Sequence, residues 1–378
     1  MRRAYKFRLY PNANQSRELG IMLETHRRLY NLCLEQRRGE YETHRRNVRY
    51  VDQSAEFKDL RGDNPFFARL NFSSAQATMR RLDKAYTAFF RRCKTGGKPG
   101  YPRFRSRDRY DSIEFPSYGD GIRLSDSRLR VQHVGVIKTK VHREVVGTVK
   151  TATLKREADK WYVVLSCDLG EVVVPPNGKP AVGIDVGIES FLTTSDREHV
   201  INPRYLKREL PALRVAQRTV SRRKRGGRNR RKAATHVRTL HARVANLRRE
   251  HHHQVALRLV TLYGLIGVER LNVQGMLKNH SLARAIADAG WSSFGNILRY
   301  KAESAGAEVV EVVAAGTSQE CSGCGVVVRK PLSQRMHTCP ECGLVLHRDV
   351  NAARNILARA LLARMGPAGR NTEIRRVS

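Results

Sequence analysis

Four cysteines near the C-terminal end constrain the fold of this chain more than any other feature. Cys321-x-x-Cys324 and Cys339-x-x-Cys342 are separated by 14 residues. Each pair can form a tight knuckle, and two knuckles supply a tetrahedral shell of four thiolates. Gly323, Gly325 and Gly343 give the backbone the freedom such turns need. A four-thiolate site has no open position for chemistry. It therefore predicts a structural zinc that holds a small ribbon together, with an iron–sulfur or redox centre as the alternative. His337 and His347 lie close by, but the thiolates already complete the shell. Cys33, Cys93 and Cys167 are scattered, and the total of seven is odd. That pattern fits free thiols in a reducing interior better than disulfides.

Three acidic residues carry the second signal. Asp185 interrupts the apolar run AVGIDVG, Glu269 follows the apolar run LIGV, and Asp349 sits at the head of a helical stretch in HRDVNAARNI. A carboxylate inside a β-type run is costly unless something compensates it. Asp349 taken alone could be no more than a helix cap. Gathered at one end of a sheet, however, the three would repel one another unless cations lay between them. Two magnesium (or manganese) ions would suit them, one activating water and the other steadying the leaving oxygen of a phosphodiester.

The charge balance names the polyanion. There are 71 Lys+Arg against 35 Asp+Glu, a net charge of +36, which points to nucleic acid. Two segments concentrate the signal. The run Arg222, Arg223, Lys224, Arg225, Arg228, Arg230, Arg231 and Lys232 reads either as a solvated charge block or as a phosphate track. The loop around GGKPGYPRFRSR interleaves Lys98, Arg103 and Arg105 with Tyr101 and Phe104, a mixture suited to phosphate pairing and base stacking.

A chain of 378 residues can form two or three domains with real cores. Residues 3–9 alternate as a strand. Residues 14–38 read as a helix with Leu19, Met22, Leu23, Leu29, Tyr30 and Leu34 on one face. A second helix begins at Ser73 or Ser74, with Ala75, Met79, Leu82, Tyr86 and Phe89 as its stripe. Residues 113–168 have period two with turns, including a hairpin at Ala158-Asp159. Pro175 to Gly178 reads as a linker. An α/β order follows: strands over 181–187, 190–194, 264–268 and 307–314, helical segments over 203–261 and 291–304, and a last helix over 349–363. No run of about 18 apolar residues suggests a membrane span, and MRRAYKFRLYPN lacks the apolar region of a signal peptide.

With these residues assembled, the chain resembles the TnpB family, transposon-encoded RNA-guided nucleases related to type V CRISPR effectors. The resemblance runs through YKFRLYPN, GGKPGYPRFRSRDRYDSIEF, GIDVG, VERLN, TSQECSGCG, CPECG and HRDVNAARNI. It implies a multidomain α+β architecture. An N-terminal β-barrel with an inserted helical lobe would precede a RuvC-like, RNase H-type α/β nuclease domain carrying an inserted zinc ribbon. The expected boundaries are 1–10 and 101–178 for the barrel and 11–100 for the helical lobe. The nuclease domain would take 179–316 and 346–363, the ribbon 317–345, and a disordered tail 364–378.

The resemblance also assigns roles. Asp185, Glu269 and Asp349 would be magnesium ligands, and Arg335 would contact the scissile strand, unless it is only a phosphate-binding surface arginine. His347 stands where the family pattern often has an acidic residue. The implied activity is RNA-guided, magnesium-dependent cutting of double-stranded DNA beside a short flanking motif. The implied partners are a guide RNA from the transposon end, one protein per RNA, and target DNA, in a prokaryotic cytoplasm at the nucleoid. A nuclease-inactive guided repressor and a transposase acting on transposon ends are the alternatives.

Overall fold

The computed structural model describes residues 1–331 and 334–365. The chain divides into two compact units at Val172/Val173, each with its own core.

The first unit is an antiparallel sheet with helices between its first and second strands. β1 (Arg2–Tyr10) leads into α1 (Ala13–His44), α2 (Tyr50–Asp63), α3 (Pro65–Ala68) and α4 (Phe72–Lys94). The remaining strands follow: β2 (Ser112–Phe115), β3 (Ile122–Ser125), β4 (Arg128–Val131), β5 (Gly135–Lys140), β6 (Thr148–Glu157) and β7 (Lys160–Asp168). The sheet order is β2-β6-β7-β1-β5-β4-β3, so β1 sits at its centre. The expected barrel is thus observed as a seven-stranded sheet, and the described pairings run from β2 to β3 without a pair that closes it. β6 and β7 join through the two-residue turn Ala158–Asp159, with Ala158 left-handed at φ 54°.

Local chemistry explains the helix starts. Asn12 and Gln15 form a reciprocal capping box at α1 (2.8 and 3.0 Å). α1 runs on to His44, six residues beyond the periodic stretch, and α2 was not legible as a helix. α4 starts earlier than the serines suggest, because its cap is Asn71, whose Oδ1 accepts from the Ser74 backbone (3.0 Å). The Ser74 hydroxyl instead meets the buried His26 ring (2.9 Å).

The second unit contains β8 (Ala181–Val186), β9 (Ser190–Thr194), β10 (His199–Ile201), α5 (Tyr205–Arg222), α6 (Arg228–Leu262), β11 (Leu265–Glu269), α7 (Val273–Met276), α8 (Ala283–Ala289), α9 (Trp291–Ala305), β12 (Glu308–Val312), β13 (Met336–Thr338), β14 (Val345–His347) and α10 (Arg348–Met365). The sheet order is β10-β9-β8-β11-β12. β8, β11 and β12 run parallel, while β9 and β10 are antiparallel. Ile184 and Phe191 pack with Ala256, Phe294 and Leu298 from α6 and α9 on one face. α10 covers the other, with Ile356 and Ala360 against Leu265 and Val312. α10 includes residues 364 and 365; the rest of the expected tail, 366–378, lies outside the described residues. Among the described residues no helix is long and apolar enough to cross a membrane.

Candidate active site and metal centre

Two glycines decide where α10 lies. Gly183 on β8 and Gly267 on β11 are register partners. A Cβ on Gly183 would stand 2.0 Å from the Ala353 carbonyl oxygen, and one on Gly267 would stand 2.8 Å from the Ala360 Cβ. The helix therefore rests directly on the backbone of both strands. Strand side chains alternate between faces, so Asp185 and Glu269, each two residues beyond its glycine, share the α10 face. Continuing the register from Ile184↔Val268 sets them opposite one another at the carboxyl ends of parallel strands. Asp349 lies in the first turn of α10. The fold thus brings all three sequence-selected carboxylates to one edge of the sheet.

The electrostatics follow from burial. Asp185 is held well above the usual carboxylate range, first by burial and then by the charges of Glu269 and Asp349, with Arg348 opposing. Burial also raises Glu269, whose Oε1 accepts a hydrogen bond from the buried Thr317 hydroxyl; that bond and the Arg359 charge pull the other way. His347 approaches Asp349 (Nδ1 to Oδ2, 3.9 Å) and stacks edge-on with His199 (4.9 Å between centroids). Mutually repelling carboxylates that are half or fully buried suit cations.

A polar stripe on α10 holds the neighbouring loop. The Asn355 side chain donates to the Thr317 and Glu320 carbonyls (2.8 Å each). Asn351 donates to Glu320 (2.7 Å) and accepts from the Ser322 backbone (2.9 Å). Arg359 binds the Val313 and Ala315 carbonyls and the Glu320 carboxylate (2.7–2.8 Å). Positions 351, 355 and 359 fall on one helix face, a pattern visible in the sequence once the helix is known. The repeated glycine-x-acid in GID and GVE was also visible. Nothing in the sequence marks Thr317 as a neighbour of Glu269.

The four cysteines meet. Cys321 and Cys342 Sγ are 3.6 Å apart, Cys324 and Cys339 Sγ 3.5 Å, and all four ligand atoms lie within 4.8 Å of one another. Zinc–sulfur bonds of about 2.3 Å in a tetrahedron need edges of about 3.8 Å, so the residues fit such an ion. The Gly323 N–H points at the Cys321 sulfur (3.4 Å). β13 and β14 form the ribbon's hairpin. His337 stands apart from the thiolates, with Nδ1 at 2.6 Å from the Lys330 ammonium nitrogen.

The basic candidates divide. Arg335 is half-exposed and ion-paired with Glu189 (2.8 Å), in the loop after β8. The run from Arg222 to Lys232 forms the tip between α5 and α6 and is exposed except at Gly227 and Arg230. The Arg230 guanidinium donates to the Val220 carbonyl at the end of α5 (2.7 Å), so it is tied into the turn. In the first unit, Lys98, Arg103 and Arg105 are exposed. Arg38 lies over the Tyr101 and Phe104 rings (5.7 and 5.6 Å). The Tyr101 hydroxyl meets Tyr86 (2.9 Å), and Asn31 Oδ1 accepts from the Arg105 backbone (2.8 Å).

Comparison with known proteins agrees along the chain. Residues 164–280 match the family described as "Probable transposase", residues 291–356 match "Cas12f1-like, TNB domain", and residues 1–46 match "Helix-turn-helix domain". In this chain that last segment is a strand followed by one long helix. A Streptomyces pristinaespiralis protein named "Putative RNA-guided DNA endonuclease" is 34% identical over 374 residues, covering 96% of this chain and 90% of the relative. TnpB-like protein L770 of Acanthamoeba polyphaga mimivirus is 27% identical over 238 residues, 58% of this chain and 45% of that protein. The solved structure titled "Structure of the mini-RNA-guided endonuclease CRISPR-Cas_phi3" aligns over 96% of this chain and 92% of its own, with a TM-score of 0.49 and 11% identity, too distant to carry an argument. The near full-length identity shows that the chain belongs to the TnpB family.

Proposed function

We propose that this chain is an RNA-guided, magnesium-dependent DNA endonuclease with a RuvC-like site. The observation that carries the reading is the convergence of Asp185, Glu269 and Asp349 at one sheet edge, with Asp185 buried against two other negative charges. Asp185, Glu269 and Asp349 would hold the magnesium ions. When bound, such ions supply an activated water and stabilise charge on the leaving oxygen of a phosphodiester. Thr317 steers the Glu269 carboxylate. Arg335 meets the phosphate of the strand being cut, exchanging its Glu189 partner for it. Cys321, Cys324, Cys339 and Cys342 hold zinc, which keeps the ribbon folded. Pairing with a guide RNA made at the transposon end reads most of the target. The exposed basic residues of the α5–α6 tip, together with Lys98, Tyr101, Arg103, Phe104 and Arg105, track nucleic-acid backbone and bases. The short flanking motif falls to the first unit.

Asp185→Ala tests the assignment with the RNA-loaded protein, magnesium and a matching duplex. Cutting should fall by at least about a thousandfold while binding of the matched duplex persists. Equal cutting by the variant contradicts the carboxylate assignment. Guided binding without cutting by the unaltered protein would instead mark a repressor.

A further inference from the structure

The sheet face opposite the carboxylates holds a cavity that the reading above does not use. Its volume is about 260 Å³, and Glu269 is among the residues that line it. Val186, Val268 and Val309 form its floor, and Phe294 and Trp291 of α9 form a wall. These strand residues alternate with Asp185 and Glu269, so the cavity opens over the same strand ends from the other side. Crevices beyond the carboxyl ends of parallel strands are where open α/β sheets bind ligands. The volume falls just below the roughly 300–1,000 Å³ of sites that bury a drug-sized molecule, which suits a single heteroaromatic ring.

Two details ask for an occupant. Gly295 lies inside α9 and lines the cavity. Interior glycine costs a helix about 1 kcal/mol against alanine, yet among the described residues no backbone approaches closely enough to exclude a Cβ here. A Cβ would meet only the flexible tip of Arg299, at 3.7 Å. The missing side chain therefore preserves open space. The second detail is Trp291, 6% exposed, which lines the cavity as an apolar ring-bearing residue beside Phe294. At the rim, Arg299 and Arg270 share the single carboxylate of Glu311, which leaves guanidinium capacity for a phosphate.

We propose that this cavity receives one unstacked nucleobase of the DNA strand presented to the carboxylates, with Arg270 and Arg299 on an adjoining phosphate. The inference rests on the nuclease reading for the identity of the strand. A nucleotide next to the scissile phosphate would drop its base over the strand ends into the apolar pocket, between the strand valines and the aromatic wall of Trp291 and Phe294. Seating the base fixes the register of the phosphate at the metal-binding edge, so the pocket positions substrate rather than acting in the chemistry.

The test mixes the RNA-loaded protein, without magnesium, with single-stranded DNA oligonucleotides each carrying one 2-aminopurine, and follows fluorescence and affinity. Gly295→Leu should abolish the fluorescence rise of an unstacked, buried analogue. Gly295→Ala should weaken binding by about tenfold while its melting temperature stays level or rises, as a helix gains from alanine. Equal response and affinity in the unaltered protein and both variants overturns the proposal, as does a loss confined to variants that also melt early. Guided cutting is measured in parallel on the unaltered protein. Cutting with no analogue response sinks the pocket alone; an analogue response lost in Gly295→Leu, without guided cutting, upholds the pocket and sinks the guided reading.

Discussion

The cysteine ribbon and the carboxylate edge stand in opposite relations to the fold. The ribbon is local: its four thiols lie within 22 residues and meet through two short knuckles, and Asn351 and Asn355 of α10 tie down its first loop. The carboxylate edge is assembled from Asp185, Glu269 and Asp349, each some eighty residues from the next, and rests on a sheet and helix joined through apolar cores. There the acidic groups oppose folding, since burial and mutual repulsion push Asp185 far up. In the proposed reading, zinc would add to the stability of the ribbon, whereas cations at the carboxylate edge would relieve a cost that the folded sheet already bears.

That contrast can be broken by substitution. The largest effect falls on the ribbon. Cys339→Ser should take bound zinc from about one per chain to none, forfeiting most of the roughly 10 kcal/mol that such a site gives a small domain. Metal analysis with proteolysis of the 317–345 segment reads this, and an intact ribbon without zinc would dissolve the contrast. At the other site, Gly183→Val should destabilise the second unit by about 1–3 kcal/mol in denaturant melts, because α10 leaves no room for a side chain there. No loss would mean that α10 does not rest on the paired glycines.

Smaller effects sharpen the account. Thr317→Val removes the donor to Glu269 while keeping the shape. Cutting should slow about tenfold, the equivalent of one hydrogen bond to a charged group, and added manganese should recover part of it. An unchanged rate and metal dependence would leave Thr317 as packing only. Asp185→Asn should raise metal-free stability by about 1 kcal/mol at neutral pH. The sign follows from linkage: a carboxyl whose folded pKa is raised supports the fold while protonated, and that support is lost as pH rises through the folded value. With chelator present, thermal melts of the unaltered protein should fall as pH rises, whereas those of Asp185→Asn should fall less. Parallel curves would contradict the strain assigned to this group.

The same contrast explains what the sequence could disclose. The ribbon was legible from spacing alone, because its constraint is local. The carboxylates were legible because Asp185 interrupts an apolar run, Glu269 follows one and Asp349 heads a helical stretch, and the strands around the first two carry strong β patterns. The hairpin at Ala158-Asp159 was legible from turn chemistry. What stayed hidden depends on tertiary approach: α2 has no clear apolar stripe, the α4 cap moved to Asn71 because Ser74 serves His26, and Thr317 reaches Glu269 only after α10 has pinned its loop. Strand closure into a barrel likewise depends on pairing partners that periodicity does not name.

The measurement that tests the central claim most directly is to purify the protein with its co-expressed RNA, sequence that RNA, and offer plasmids matching its 3′ segment beside a randomised flank, with magnesium. The account predicts one discrete bound RNA and cutting confined to plasmids that share a short flank, abolished by chelation. No specific RNA, or cutting indifferent to the match, would contradict it and favour a transposase or an unguided nuclease.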